Sequence, residues 1–204
     1  MHACTRWAAR GAVTLATVWL TGCATSAAPD YQATPDQVAQ LKKSGASPAH
    51  VGLITARVDL PGARLLNLRT QSMRSPTGFD FGDYVAAALR SELQAAQLND
   101  SASATEITGT LVQNQLDTQS ADYNSGAIEV RFMVTRGPWL VFDKVKSVTY
   151  QWPSAADHAA ATASAKQGYT AMVNTLMASL IADPGFIAAL TEPSSSRAAS
   201  SSAK

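Results

Sequence analysis

Residues 127–136 read Ala-Ile-Glu-Val-Arg-Phe-Met-Val-Thr-Arg, with Ile128, Val130, Phe132 and Val134 alternating with Glu129, Arg131, Met133 and Thr135. Successive side chains of a strand point to opposite faces, so the segment predicts a strand with one face buried and the other wet. Gly137-Pro138 then leads straight into a second β-favouring run, residues 139–152. A connection this short joins only antiparallel neighbours. Upstream, residues 105–116 form a third candidate, with Ile107, Gly109 and Leu111 on one face. Leu116 falls on the other parity, which predicts a bulge around residues 113–115.

Helical spacing lies on either side of these strands. From Phe81, the side chains of Tyr84, Val85, Ala88, Leu89, Leu93 and Ala96 form one stripe, while Asp83, Arg90, Glu92 and Gln94 are expected to face away. Asp80 and Asp83 stand at the helix start, where carboxylates complement the dipole, and Asn99-Asp100 ends it. After Pro153 an Ala-rich helix is predicted to run to about Ala182, its stripe formed by Tyr169, Met172, Val173, Leu176 and Leu180. Asp183 as N-cap and Pro184 at the first helical position start a last short helix burying Phe186, Ile187 and Leu190. Nearer the amino terminus, residues 51–58 and 65–69 are short strand candidates separated by Pro61-Gly62. Residues 35–44 predict a short helix capped by Thr34, with Val38 and Leu41 on one side, closed by Gly45. Strand, helix, three antiparallel strands and helix give an α+β fold. The expectation is a two-layer sandwich, with a small, mainly antiparallel sheet and two main helices on one face.

The domain so outlined covers residues 36–191 of a 204-residue chain with 46% hydrophobic residues and a formal net charge of +1. There are 38 Ala, and 15% of residues are charged against a usual ~25%, so much of the apolar fraction comes from a small side chain. The even charge balance offers no basic cluster for a nucleic-acid backbone. Glu192 to Lys204 is mostly Ser and Ala without apolar periodicity, and is expected to be a disordered tail. Residues 23–35 are small and polar for the most part, and are expected to be a flexible tether.

The first 22 residues have the form of a secretory signal. Arg6 and Arg10 precede an uncharged run, residues 11–20, which is shorter than the roughly 20 apolar residues of a membrane span. Leu20-Thr21-Gly22-Cys23 resembles the lipobox of bacterial lipoproteins. That resemblance implies cleavage between Gly22 and Cys23, a diacylglyceryl thioether on Cys23 and acylation of the new amino terminus. Each buried acyl CH₂ contributes about 0.8 kcal/mol, and stable anchoring takes more than one chain. Cys4 would leave with the signal, so the mature chain of 182 residues keeps Cys23 alone and has fourteen Lys and Arg against fifteen Asp and Glu. Residue +2 is Ala24 rather than the Asp that retains many lipoproteins at the inner membrane. The expectation is therefore the periplasmic side of the outer membrane.

A second resemblance covers the domain. The helix beginning Phe81-Gly82-Asp83-Tyr84-Val85 and running through Leu89-Arg90-Ser91-Glu92-Leu93 is one part of it. The strand Ile107-Thr108-Gly109-Thr110-Leu111, the Gly-containing turn before Val130-Arg131-Phe132, and the ending Leu180-Ile181-Ala182-Asp183-Pro184-Gly185-Phe186 are the others. Together these are similar to the YajG-like group of small proteobacterial lipoproteins, which implies an envelope protein and supplies no catalytic residue.

Residue chemistry points away from catalysis. His50 and His158, the two His of the mature chain, lack metal-ligand spacing, and no Gly-x-Ser-x-Gly elbow or phosphate loop is present. Asp80 and Asp83 fit helix capping better than a paired-carboxylate acid and base. No cofactor, metal or catalytic residue is expected. Alternation places Phe142, Tyr150 and Trp152 on one face of their strand and Trp139 on the other, and Glu129 with Arg131 is expected to be a solvated pair. Trp139 and Trp152 are the candidate interaction surface. Two functions are open: a non-catalytic accessory module that binds an envelope protein in assembly or transport, or a glycan- or peptidoglycan-binding or processing lipoprotein.

Overall fold

The computed structural model describes residues 25–120 and 122–191. The expected signal, with Gly22 and Cys23, Ala24 of the expected tether, and the expected tail 192–204 lie outside the described residues. In chain order the elements are β1 (Thr25–Ala27), α1 (Pro35–Lys43), β2 (His50–Ala56), β3 (Leu65–Asn67), β4 (Ser72–Arg74) and α2 (Phe81–Ala95). There follow β5 (Thr105–Asp117), β6 (Tyr123–Arg136), β7 (Trp139–Pro153), α3 (His158–Ile181) and α4 (Pro184–Leu190). The fold is α+β, as the periodicity predicts. A four-stranded sheet has the order β2-β5-β6-β7, antiparallel except for the parallel β2–β5 pair, and a small sheet has the order β1-β4-β3. β3 falls within the strand candidate at 65–69, but its pairing into a small sheet is not foreseen, since the three-residue β1 and β4 carry no readable alternation.

The inward face of the large sheet is built by Ile107, Leu111, Ile128, Val130, Phe132 and Val134, all buried beneath α2 and α3. Three bulges keep that face apolar over long strands. One extra residue between Val51 and Ile54 lets both point inward, although they are three positions apart. A shift at Val112 brings Asn114 and Leu116 back towards the helices, close to the bulge that the parity of Leu116 predicts. The third lies at Val141, where Val134 pairs with Phe142 but Thr135 pairs with Leu140.

The amino-terminal segment departs most from expectation. It is not a free tether: β1 pairs with β4, Ala28 and Tyr31 are buried, and the Ala28 amide donates to the Arg74 carbonyl at 2.9 Å. Residues 25–35 are therefore packed into the domain, ahead of the boundary expected at residue 36. Glu92, expected to face solvent on α2, is fully buried under this strap. Its Oε1 accepts from the Tyr31 hydroxyl at 2.7 Å and from the Thr34 amide at 2.9 Å. Burial first, and the bond to Glu92 second, push the Tyr31 hydroxyl far above its ordinary pKa, so it stays a donor. Tyr84, packed edge-on to Phe81, donates to the Pro29 carbonyl at 2.9 Å. Thr34 makes no side-chain cap on α1, and its hydroxyl turns instead to Asn174 at 3.4 Å.

The carboxyl end is fixed by charge. Asp183 caps α4 by accepting from the Gly185 amide at 2.8 Å, and it also receives Lys146 at 2.7 Å and Lys144 at 3.0 Å from β7. Lys146 above all, with Lys144 and the Gly185 amide, holds the Asp183 carboxyl well below the usual carboxylate range against the cost of its desolvation.

Two stability predictions follow from these contacts. A Cβ on Gly168 of α3 would run into the Trp152 ring, so Gly168→Ala should destabilise the fold by about 1–3 kcal/mol, as overpacking does. Denaturant melts should show most of that loss recovered in a Trp152→Leu background; an unchanged midpoint in the single variant would contradict the packing. Asp183→Asn should cost about 1–3 kcal/mol at neutral pH through lost charged hydrogen bonds. Because the folded-state pKa is depressed, that stabilisation is present above the unfolded carboxylate value of about 3.9 and fades as pH falls below it. Melts of both proteins from pH 7 to pH 2 should therefore show the gap narrowing towards the acid end, and a gap that stays constant would refute the linkage.

Candidate functional site

The structure places each candidate residue as follows. Asp80 and Asp83 form a reciprocal capping box: Asp80 Oδ1 accepts from the Gly82 amide at 2.7 Å, and Asp83 accepts from the Asp80 amide at 3.1 Å. Both carboxylates are taken up by the start of α2. His50 opens β2 and His158 opens α3, and among the described residues no three His, Cys, Asp or Glu side chains converge on a metal position. Arg131 pairs with Asp143 on the neighbouring strand rather than with Glu129, which accepts from the Ser147 hydroxyl at 2.8 Å. Arg131 and Asp143 are exposed, so their pairing adds little to stability.

Trp139 and Trp152 do not form one surface. Trp152 is 7% exposed, packed against Gly168 and stacked on Tyr150 with ring centroids 5.9 Å apart. It is a core residue, which corrects its standing as an interaction candidate. Trp139 is 73% exposed at the far end of β7. The bulge at Val141 also reverses the face predicted for it. Trp139 sits opposite Arg136, whose guanidinium reaches the Ala189 and Thr191 carbonyls beside α4, so Trp139 lies on the helix side of the sheet.

What remains is a patch that the sequence indicated only through Trp139. Leu140, Val141 and Val145 are exposed beside it on β7, an edge strand whose outer backbone has no partner strand among the described residues. Leu140 pairs with Thr135 and Val145 with Arg131, so these two side chains lie on the outer sheet face while Trp139 turns round the edge. Apolar side chains along an unpaired edge are what strand-adding or aromatic-anchored partners recognise. Lys144 and Lys146, held by Asp183, are the charged neighbours that limit indiscriminate pairing along this edge.

A second feature gave no signal in the sequence. The loop 57–65 and Phe79 border a groove of about 670 Å³, where Val58 and Phe79 are exposed and the Arg64 guanidinium lies 3.8 Å over the Phe79 ring. The stacking covers one aromatic face and leaves the Arg64 charge in water.

No family model and no curated protein matches this chain. Among solved structures it is similar to protein XCC0632 from Xanthomonas campestris, of the family DUF330, at 13% identity and a TM-score of 0.52, covering 78% of this chain and 95% of that one. A candidate lipoprotein from Caulobacter crescentus CB15 aligns at 13% identity and a TM-score of 0.46, over 78% of this chain and 99% of that one. The hypothetical protein CT253 from Chlamydia trachomatis aligns at 9% identity and a TM-score of 0.43, over 71% and 99%. At such identities the first likeness is one of fold.

Proposed function

We propose that this chain is a lipid-anchored envelope lipoprotein of the YajG-like kind. In this reading it is held by acyl chains on Cys23 at the periplasmic side of the outer membrane and acts as a non-catalytic accessory module for a protein partner in envelope assembly or transport. The observation that carries the reading is the sequence Leu20-Thr21-Gly22-Cys23 ending two residues before a folded strand. Acyl chains on a cysteine this close to the strand would hold the domain at the membrane surface. The exposed Trp139, Leu140, Val141 and Val145 support a protein partner, since a solvent-facing aromatic flanked by branched aliphatics is the composition of an interface anchor.

The glycan-directed alternative has less to rest on. Trp152 is enclosed, so no aromatic row faces solvent with Trp139, and Asp80 and Asp83 are engaged in the helix cap. Catalysis is not part of the proposal.

Metabolic labelling with a fatty-acid probe tests the anchor: the wild-type chain should take up label and fractionate with outer membranes, whereas Cys23→Ser should remain an unlabelled precursor. Normal labelling of that variant would overturn the anchor. The partner surface is tested by crosslinking in intact envelopes. Trp139→Ala should lose most of a crosslinked species that the wild type and Trp139→Phe retain, as expected for an anchor worth about 2 kcal/mol. Equal yields from all three proteins would remove Trp139 from the interface.

A further inference from the structure

We infer that the end of the molecule carrying Thr25 lies directly on the bilayer, and that the β6–β7 hairpin end is held some four nanometres from it. The inference rests on the proposed acylation of Cys23 and adds to it a fixed orientation.

Thr25 is paired with Ser72 of β4, and Ser72 is paired in turn with Asn67 of β3. The chain between Cys23 and Thr25 is two residues long, so it reaches about 7 Å at full extension. The acyl chains must therefore enter the membrane beside the small sheet. The elements around that point form one end of the molecule. Arg69, in the turn after β3, donates to the carbonyls of Thr118, Ser120 and Ala155 and to the Ser154 hydroxyl, and the Ser154 amide bonds to the Asp122 carbonyl. This ties the β3–β4 turn to the β5–β6 connection and to the end of β7. Tyr123, exposed where β6 begins, belongs to the same end. An amphipathic ring there suits the headgroup region.

From Tyr123, β6 runs fourteen residues to Arg136. At roughly 3.3 Å per residue this separates the two ends by about 40 Å. Gly137 bonds to Ala104, Ser103 to Pro48 and Ser47 to Leu190 at the far end, so loop 99–104, α4 and the exposed Trp139 gather there. A tether of about 7 Å cannot let that end swing down unless the long side of the domain lies flat on the lipid. Exposed Asp117 and Asp122 outnumber the partly exposed Arg69 at the near end, so contact depends on the acyl chains and not on charge. The orientation presents Trp139 to a partner away from the membrane.

The mature chain has no cysteine besides Cys23, which the lipid would consume, so single spin labels can be introduced at Thr70→Cys and Ser101→Cys, both exposed positions at opposite ends. The acylated full-length proteins would be reconstituted into phosphatidylethanolamine–phosphatidylglycerol vesicles carrying a nickel-chelating lipid. Both should float with the vesicles, and relaxation enhancement by the headgroup nickel should be several-fold larger at residue 70 than at residue 101. Equal enhancement at the two sites, with flotation intact, would overturn the upright stance while leaving the anchor standing. Failure of either protein to float would overturn both.

Discussion

Glu92 has no exposed surface, and its Oε1 gathers the Tyr31 hydroxyl and the Thr34 amide from a segment about sixty residues earlier in the chain. The positioning of the amino terminus depends on this contact. Each buried hydrogen bond contributes about 0.5–1.5 kcal/mol net, and losing one partner leaves a buried polar group unpaired at a larger cost. Together with Tyr84 on the Pro29 carbonyl and the β1–β4 pairing, it converts residues 25–34 from a linker into part of the domain. A separate linker would let the domain drift tens of ångströms from an anchor; packing of the strap takes residues 25–34 out of any such linker.

The strap also explains why α2 has a polar residue under cover. Its apolar stripe faces the sheet, and Glu92 lies on the flank that residues 28–34 close over. The rest of the core follows from alternation on β2, β5, β6 and β7, corrected by three bulges. The one at Val141 does most to shape the exposed surface. It puts Leu140 on the outer face and Trp139 on the helix side, so an apolar patch wraps the edge of β7 in place of a flat row.

Repeating patterns were legible in the sequence because they are local. The alternation of Ile128 to Val134, the stripe of Tyr169 to Leu180 and the capping signals at Asp80 and Asp183 each sit within a few turns or a single strand, and the structure places them as read. Glu92, the small sheet and the face of Trp139 were not legible. Glu92 depends on partners 58 and 61 positions away, β1 pairs with a strand 47 positions on, and Trp139 changes face through one inserted residue that leaves the alternation on either side intact. Composition misled in the same way at residues 25–35. Short polar side chains suggested a coil, yet the buried Ala28 and Tyr31 are enough to fix it to the domain when Glu92 and Arg74 supply the bonds.

Residues 25–34 are held in the domain and do not hang loose. Amide hydrogen exchange on the mature protein measures this directly at Ala28 and Thr34, whose amides bond to the Arg74 carbonyl and the Glu92 carboxyl. Both should exchange orders of magnitude more slowly than an unstructured peptide of the same sequence, and Glu92→Ala should release Thr34 while leaving the β6 amides protected. Exchange of Ala28 and Thr34 at the unstructured rate in the wild-type protein would show a loose tether and contradict the account.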